Sequence, residues 1–331
     1  MEVQESSKGE QVGPANAAVK SSIPSPSTSL LELLKAGALL PSRNQSLFVA
    51  VFALAVAYTS LLQLVNDLAV QPHADKLLHD VMAFNNSGTG GRTARSPDEY
   101  AQLLQGLEKD AWDLARPGAA YLLLDATVGS AVWIVALLAA VATCSGSGGK
   151  TLSFGKATAA QLMGAALTVA FAYAVGIAYA AVLLAAAAAL VPHILAAKGA
   201  SLLLILGCLL LSALAFALLV YFTSLCVLGV VVAAAEPGRR GAGAVARAWR
   251  LLEGRKRRFL QVLAVFAALT TACSKAHALA RKHTLSVPAL ELLWGFLHAV
   301  AVAVVKVFAV CTITVFYYQC KLPSEDELIR V

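Results

Sequence analysis

Long uninterrupted apolar runs alternate with short polar connections along most of this chain. Six of the runs are long enough for a helix to cross a bilayer, which takes about 20 residues: Leu47–Asn66, Ala119–Thr143, Ala159–Leu190, Ser201–Ala235, Phe259–Ala280 and Leu292–Tyr318. At about 1.5 Å per residue, the third and fourth exceed a ~30 Å hydrocarbon core, so each must tilt or project into water. The pattern predicts an all-α fold, a polytopic transmembrane bundle of six helices spanning 30–320. Residues 1–29, rich in Ser, Pro, Glu and Gly and without apolar periodicity, read as a disordered tail. Residues 321–331 form a short acidic tail.

Three polar stretches carry helical signals of their own. Ser29 followed by Glu32 has capping-box spacing, and Leu30, Leu33 and Leu34 share one face. This predicts a short helix up to Pro41, lying on the membrane surface. In the outer loop 67–117, Ser96, Pro97, Asp98 and Glu99 read as N-cap, first-turn proline and acidic first turn. Tyr100, Leu103, Leu104, Leu107, Ala111 and Leu114 continue at helical spacing, which predicts an amphipathic helix on the membrane surface or capping the bundle. Beyond the glycines of Arg239–Arg258, Val245, Ala248, Trp249, Leu252 and Phe259 recur as one face of a basic amphipathic surface helix between spans 4 and 5.

Composition agrees with a lipid environment: of 331 residues, 59% are hydrophobic and only 14% charged, where a soluble domain averages about 25% charged. The net charge of +7 does not require nucleic acid as a partner. Arg239–Arg258 holds eight basic side chains and one acid; with the N-tail, the 2–3 linker and the C-tail, that side of the bundle carries sixteen Lys and Arg, against nine on the side of the 1–2, 3–4 and 5–6 loops. The positive-inside rule puts the 4–5 linker and both termini in the cytosol. The 1–2 loop then faces the lumen or exterior, where the sequon Asn85-Asn86-Ser87 is a glycosylation candidate at Asn85.

Candidate chemistry is sparse. Asp125 and Lys306 are ionisable side chains deep in apolar runs, where a charge costs at least about 2.5–3.5 kcal/mol, so each is a candidate for function or for a register-fixing charge pair. The heads of the two could meet at similar depth, with Asp125 also bonding locally near Thr127 and Ser130. Arg247, Arg250, Arg255, Lys256, Arg257 and Arg258, with Trp249 at headgroup level, are candidates for contact with anionic lipid on the cytosolic leaflet. His73, Asp75, His79 and Asp80 lack a strong metal-ligand spacing and read as surface residues, so neither metal nor cofactor is expected. The six cysteines sit in or at the ends of apolar runs and read as small apolar fillers; Cys144 and Cys320, next to the membrane, are acylation candidates. Neither a phosphate-binding loop nor a nucleophile elbow is present, and no catalytic residue is assigned.

Phe222-Thr223-Ser224, Val230-Val231-Val232, Glu236, Gly241, Ala244 and the run Arg247-Ala248-Trp249-Arg250-Leu251-Leu252-Glu253-Gly254-Arg255 form a recognisable pattern: a span ending in Glu, a glycine turn, then a basic helix closed by Gly and a basic residue. It resembles the plant six-span membrane proteins of unknown function related to the glycerophosphodiester phosphodiesterase membrane-domain superfamily. Elsewhere the likeness lies in span count and layout. The resemblance implies a membrane domain without a phosphodiesterase module. The expected function is a non-catalytic scaffold or lipid-organising component of the endomembrane system or plasma membrane, with the lipid bilayer and other membrane proteins as partners. The alternative is a small-solute transporter or channel using Asp125 and Lys306.

Overall fold

A computed structural model describes residues 29–89, 97–145, 156–196, 202–236, 238–284 and 288–328. The helices are α1 (Leu30–Leu39), α2 (Gln45–Val65), α3 (Gln71–Thr89), α4 (Pro97–Leu124), α5 (Ser130–Cys144), α6 (Lys156–Ala196), α7 (Leu202–Ala235), α8 (Ala242–Leu252), α9 (Lys256–Thr284) and α10 (Pro288–Leu328). Two π turns, Asn66–Val70 and Asp125–Gly129, join α2 to α3 and α4 to α5 without a break. There is no strand among the described residues. Among the described residues, six helices are long and apolar enough to cross a membrane: Gln45–Asp80, Lys109–Cys144, Ala159–Ala186, Leu209–Ala235, Lys256–Arg281 and Leu292–Lys321. The protein is therefore an all-α integral membrane protein. Large apolar side chains such as Leu209, Leu210, Leu214 and Phe216 stay uncovered by the rest of the chain, as lipid-facing residues do.

The chain divides into two compact units. The first comprises residues 1–49, 134–267 and 308–331. Its core holds Leu137, Leu228, Phe259, Val262 and Tyr317, all essentially free of solvent contact. Small residues let its helices approach closely, as is usual between membrane helices. A Cβ on Gly229 of α7 would sit 3.0 Å from a Val245 methyl of α8. Tyr179 of α6 donates its hydroxyl to the Ala215 carbonyl of α7 at 2.7 Å. Gly241 takes φ +53°, a left-handed conformation that side chains disfavour, and its N–H donates to Thr168 Oγ1 at 3.0 Å. This fixes the angle at which α8 leaves the end of α7.

The capping box of α1 is formed in full: Glu32 N–H donates to Ser29 Oγ at 3.4 Å and Ser29 N–H to Glu32 Oε2 at 3.2 Å. One face of this helix packs against the protein. Leu33, Gly37 and Leu40 are buried, and a Cβ on Gly37 would meet Thr312 of α10, its Cα at 2.9 Å. The helix is seated on α10, because Gly37 gives Thr312 a flat surface to approach.

The second unit comprises residues 50–133 and 268–307. Here the outer loop is corrected to a helical hairpin of α3 and α4, each continuous with a span. Pro117 lies inside α4. A proline costs roughly 3 kcal/mol in a helix interior, which the long helix on either side of it absorbs. Lys76 Nζ meets Asp110 Oδ1 at 2.6 Å across the hairpin. Two further ends run beyond their predicted limits: α6 continues through Pro192 to Ala196, and α10 carries the acidic tail as helix to Leu328.

Candidate functional site

In the second unit, polar side chains from α2, α9, α10 and both π turns collect within otherwise apolar helices. Asp125 opens the second π turn, a device often found where a helix is deformed for function. Its carboxylate Oδ1 accepts the hydroxyl of Tyr58, which is 6% exposed. Lys306 Nζ lies 5.4 Å from the centre of the Tyr58 ring, within the roughly 6 Å reach of a cation–π contact. Tyr58 thus stands between the two charges, one on its hydroxyl and one on its face. Gly129 leaves room for this: a Cβ there would strike the Tyr58 hydroxyl and come within 2.9 Å of Asp125 Oδ1. The local bonds expected for Asp125 go elsewhere. Thr127 Oγ1 donates to the Leu123 carbonyl at 2.7 Å and Ser130 Oγ to the Thr127 carbonyl at 3.0 Å.

A second polar group forms around the first π turn. Asp67 accepts from Gln63 Nε2, Asn66 Nδ2 and Arg281 Nη1, each at 3.4 Å. Gln63 Nε2 also lies 3.0 Å from His277 Nε2. The His277 and His298 rings stack with centroids 4.5 Å apart and planes 17° from parallel. Sequence reasoning gave these two histidines no role. The spacing of Gln63 with Asp67, and of His277 with Arg281, places each pair on one helix face and is the signal that was there to find.

In the first unit, α8 appears as the predicted basic amphipathic helix, and its packing sorts the predicted lipid-contact residues. Ala244, Ala248, Leu251 and Leu252 are buried. Glu236, at the end of α7, accepts the Tyr317 hydroxyl at 2.8 Å and pairs with Arg239 at 3.2 Å and Arg247 at 4.0 Å. Arg255 Nη1 donates to the Gln319 carbonyl at 3.1 Å. Arg247 and Arg255 are thereby engaged inside the protein, while Arg250, Arg257 and Arg258 are exposed. Trp249, 44% exposed, meets Tyr221 edge to face at 5.6 Å, and Lys256 Nζ lies 4.7 Å over its ring.

Asn85 falls in the last turns of α3, a helical setting for the sequon. His79 Nδ1 lies 3.6 Å from Asp80, and no group of three or more metal-ligating side chains is found among the described residues. Cys144 and Cys320 are buried, at 9% and 5% exposure, so the accessibility that acylation needs is lacking. Together these features define a polytopic membrane protein with polar groups set among otherwise apolar helices and a basic amphipathic helix. Compared with known proteins, the chain matches no family model, no curated protein and no solved structure.

Proposed function

We propose that the protein is a non-catalytic component of the endomembrane system or plasma membrane that organises anionic lipid on the cytosolic leaflet. The sorting of arginines on α8 and its flanks carries this reading. Arg247 and Arg255 hold the helix against the protein, and Arg250, Arg257 and Arg258 stay outward beside Trp249 and Lys256. Each basic side chain near an anionic leaflet adds about 1 kcal/mol of attraction, and tryptophan favours the headgroup boundary. Termini in the cytosol follow from the excess of Lys and Arg in the 4–5 linker. The likeness of residues 222–255 to the plant six-span membrane proteins accords with a domain that has no catalytic module.

The test uses the full chain with Trp112, Trp133 and Trp294 changed to Phe, reconstituted in vesicles, with Trp249 fluorescence quenched by brominated lipid. Brominated phosphatidylserine should quench more strongly than brominated phosphatidylcholine, and high salt should erase the difference. Equal quenching by the two lipids at low salt would discard the reading.

The bridging of Asp125 and Lys306 by Tyr58 favours a second reading, a small-solute transporter or channel. Substrate-dependent flux in proteoliposomes that disappears in Asp125→Asn would establish it over the first.

A further inference from the structure

We propose that a groove in the first unit holds a single anionic phospholipid, with one acyl chain on the aromatic wall and its phosphate at Arg250. This rests on the anionic-lipid reading above and names its site. The groove is open along one side, offers about 420 Å³, and is lined by Phe171 of α6, Phe222 of α7, and Ala242, Val245, Ala246, Trp249 and Arg250 of α8.

Three observations select the occupant. Phe171 and Phe222 belong to membrane-crossing stretches, Ala159–Ala186 and Leu209–Ala235. A groove walled by them opens toward hydrocarbon, where an acyl chain is present and a soluble peptide is not. The lining is apolar apart from one cation and includes no acid. Lys256 places a second cation 4.7 Å over the Trp249 ring, so the polar end of the groove is set for an anion. The walls are also fixed in advance. Gly241 and its bond to Thr168 set the departure of α8, Gly229 against Val245 sets its distance from α7, and Tyr221 braces Trp249. A preformed site avoids the ordering cost of closing on a flexible chain. Ala242 and Ala246, one turn apart on α8, leave the floor open.

The experiment is native mass spectrometry of the full chain, reconstituted with dioleoyl phosphatidylserine and dioleoyl phosphatidylcholine in equal amounts and extracted in mild detergent. Wild type should retain one phosphatidylserine, and excess inorganic phosphate should not displace it. Ala246→Trp and, separately, Ala242→Leu fill the floor and should lower occupancy by about tenfold or more. Arg250→Gln should keep a lipid but lower the serine-headgroup preference by about fivefold, the equivalent of one basic residue at the leaflet. Unchanged occupancy in both floor-filling variants, with wild-type melting and monodisperse elution, overturns the groove. Displacement of phosphatidylserine by inorganic phosphate overturns it too, since a phosphate contact alone would then account for retention. Displacement by Ala246→Trp of a lipid that wild type takes equally from both headgroups overturns the anionic-lipid reading but supports the acyl-chain site.

Discussion

Tyr58 gives its hydroxyl proton to a hydrogen bond with the Asp125 carboxylate, 67 residues away in sequence, while its ring face receives the Lys306 ammonium. A hydrogen bond to a charged group contributes about 1.5–3 kcal/mol, and leaving a carboxylate without it in an apolar setting costs at least that. Tyr58→Phe should therefore destabilise the chain by about 2 kcal/mol in heat or SDS unfolding of the purified protein in detergent. Asp125→Asn and Lys306→Leu should each be harmful as well. Because all three side chains share one interaction, the Asp125→Asn, Lys306→Leu double variant should lose less than the two single losses added together. Strict additivity would mean that Tyr58 does not couple them.

Gly129 tests the same contact from the backbone side. An added methyl would collide with the Tyr58 hydroxyl and crowd Asp125 Oδ1 at 2.9 Å. Overpacking of this kind costs about 1–3 kcal/mol, more than alanine gains over glycine in a helix, about 0.8–1 kcal/mol. Gly129→Ala should destabilise, and by less when Tyr58→Phe has already removed the colliding oxygen. An equal loss in both backgrounds would place the obstacle elsewhere.

Much of this architecture is written locally and was legible. A span needs only a long apolar run, so all six were found, as were the cap at Ser29 and the start of α4 at Pro97. What local pattern could not supply was partners. Tyr58 sits unremarkably in an apolar run until α4 and α5 bring Asp125 to it. Nothing near Arg247 announces Glu236 as its counter-charge, and nothing near Arg255 announces the Gln319 carbonyl as its acceptor. The hairpin of α3 and α4 was misread because Asp67 and Pro117 look like ends. In the fold, Asp67 is bonded within a π turn, and Pro117 is outweighed by the helix around it.

Two glycines should respond to alanine with opposite signs. Gly37 faces Thr312 so closely that a Cβ would come within 2.9 Å of its Cα, a backbone atom that cannot turn away. Gly37→Ala should cost about 1–3 kcal/mol by lifting α1 from α10. Gly106, inside α4, has nothing within 4 Å of the added position. Gly106→Ala should stabilise by about 0.4–1 kcal/mol through a less mobile unfolded chain. Melting temperatures of the two variants in one detergent decide the matter; a shared sign would refute the packing of α1.

Glu236 gathers Tyr317, Arg239 and Arg247 where α7 turns toward α8. Arg247 is only 20% exposed and its Nε has no hydrogen-bond partner, so the carboxylate is its counter-charge. Removing one member of such a pair costs about 3–5 kcal/mol when the other stays buried. Glu236→Ala should approach that loss, whereas Tyr317→Phe, which keeps the charge, should lose about 1–3 kcal/mol. If Tyr317→Phe proved the worse of the two in chemical unfolding, the carboxylate would not be what holds α8 in place.

The basic residues between spans 4 and 5 should separate into two classes under mutation. Arg255 is tied to the Gln319 carbonyl of α10 at 3.1 Å, so Arg255→Gln should lower stability by about 1.5–3 kcal/mol, the worth of a charged hydrogen bond. Arg250, Arg257 and Arg258 are exposed, and changing all three to Gln should lower melting less than Arg255→Gln alone. Their effect should appear at the membrane instead. Three basic side chains at about 1 kcal/mol each amount to roughly a hundredfold loss of preference for phosphatidylserine over phosphatidylcholine. Brominated-lipid quenching of Trp249 reads that preference directly, because the indole lies beside Lys256 and Arg250 at the groove. The wild-type preference should also weaken with salt, and the triple variant should show little salt dependence left to lose. A triple variant that unfolds early while keeping its lipid preference would reverse the assignment, making these arginines structural.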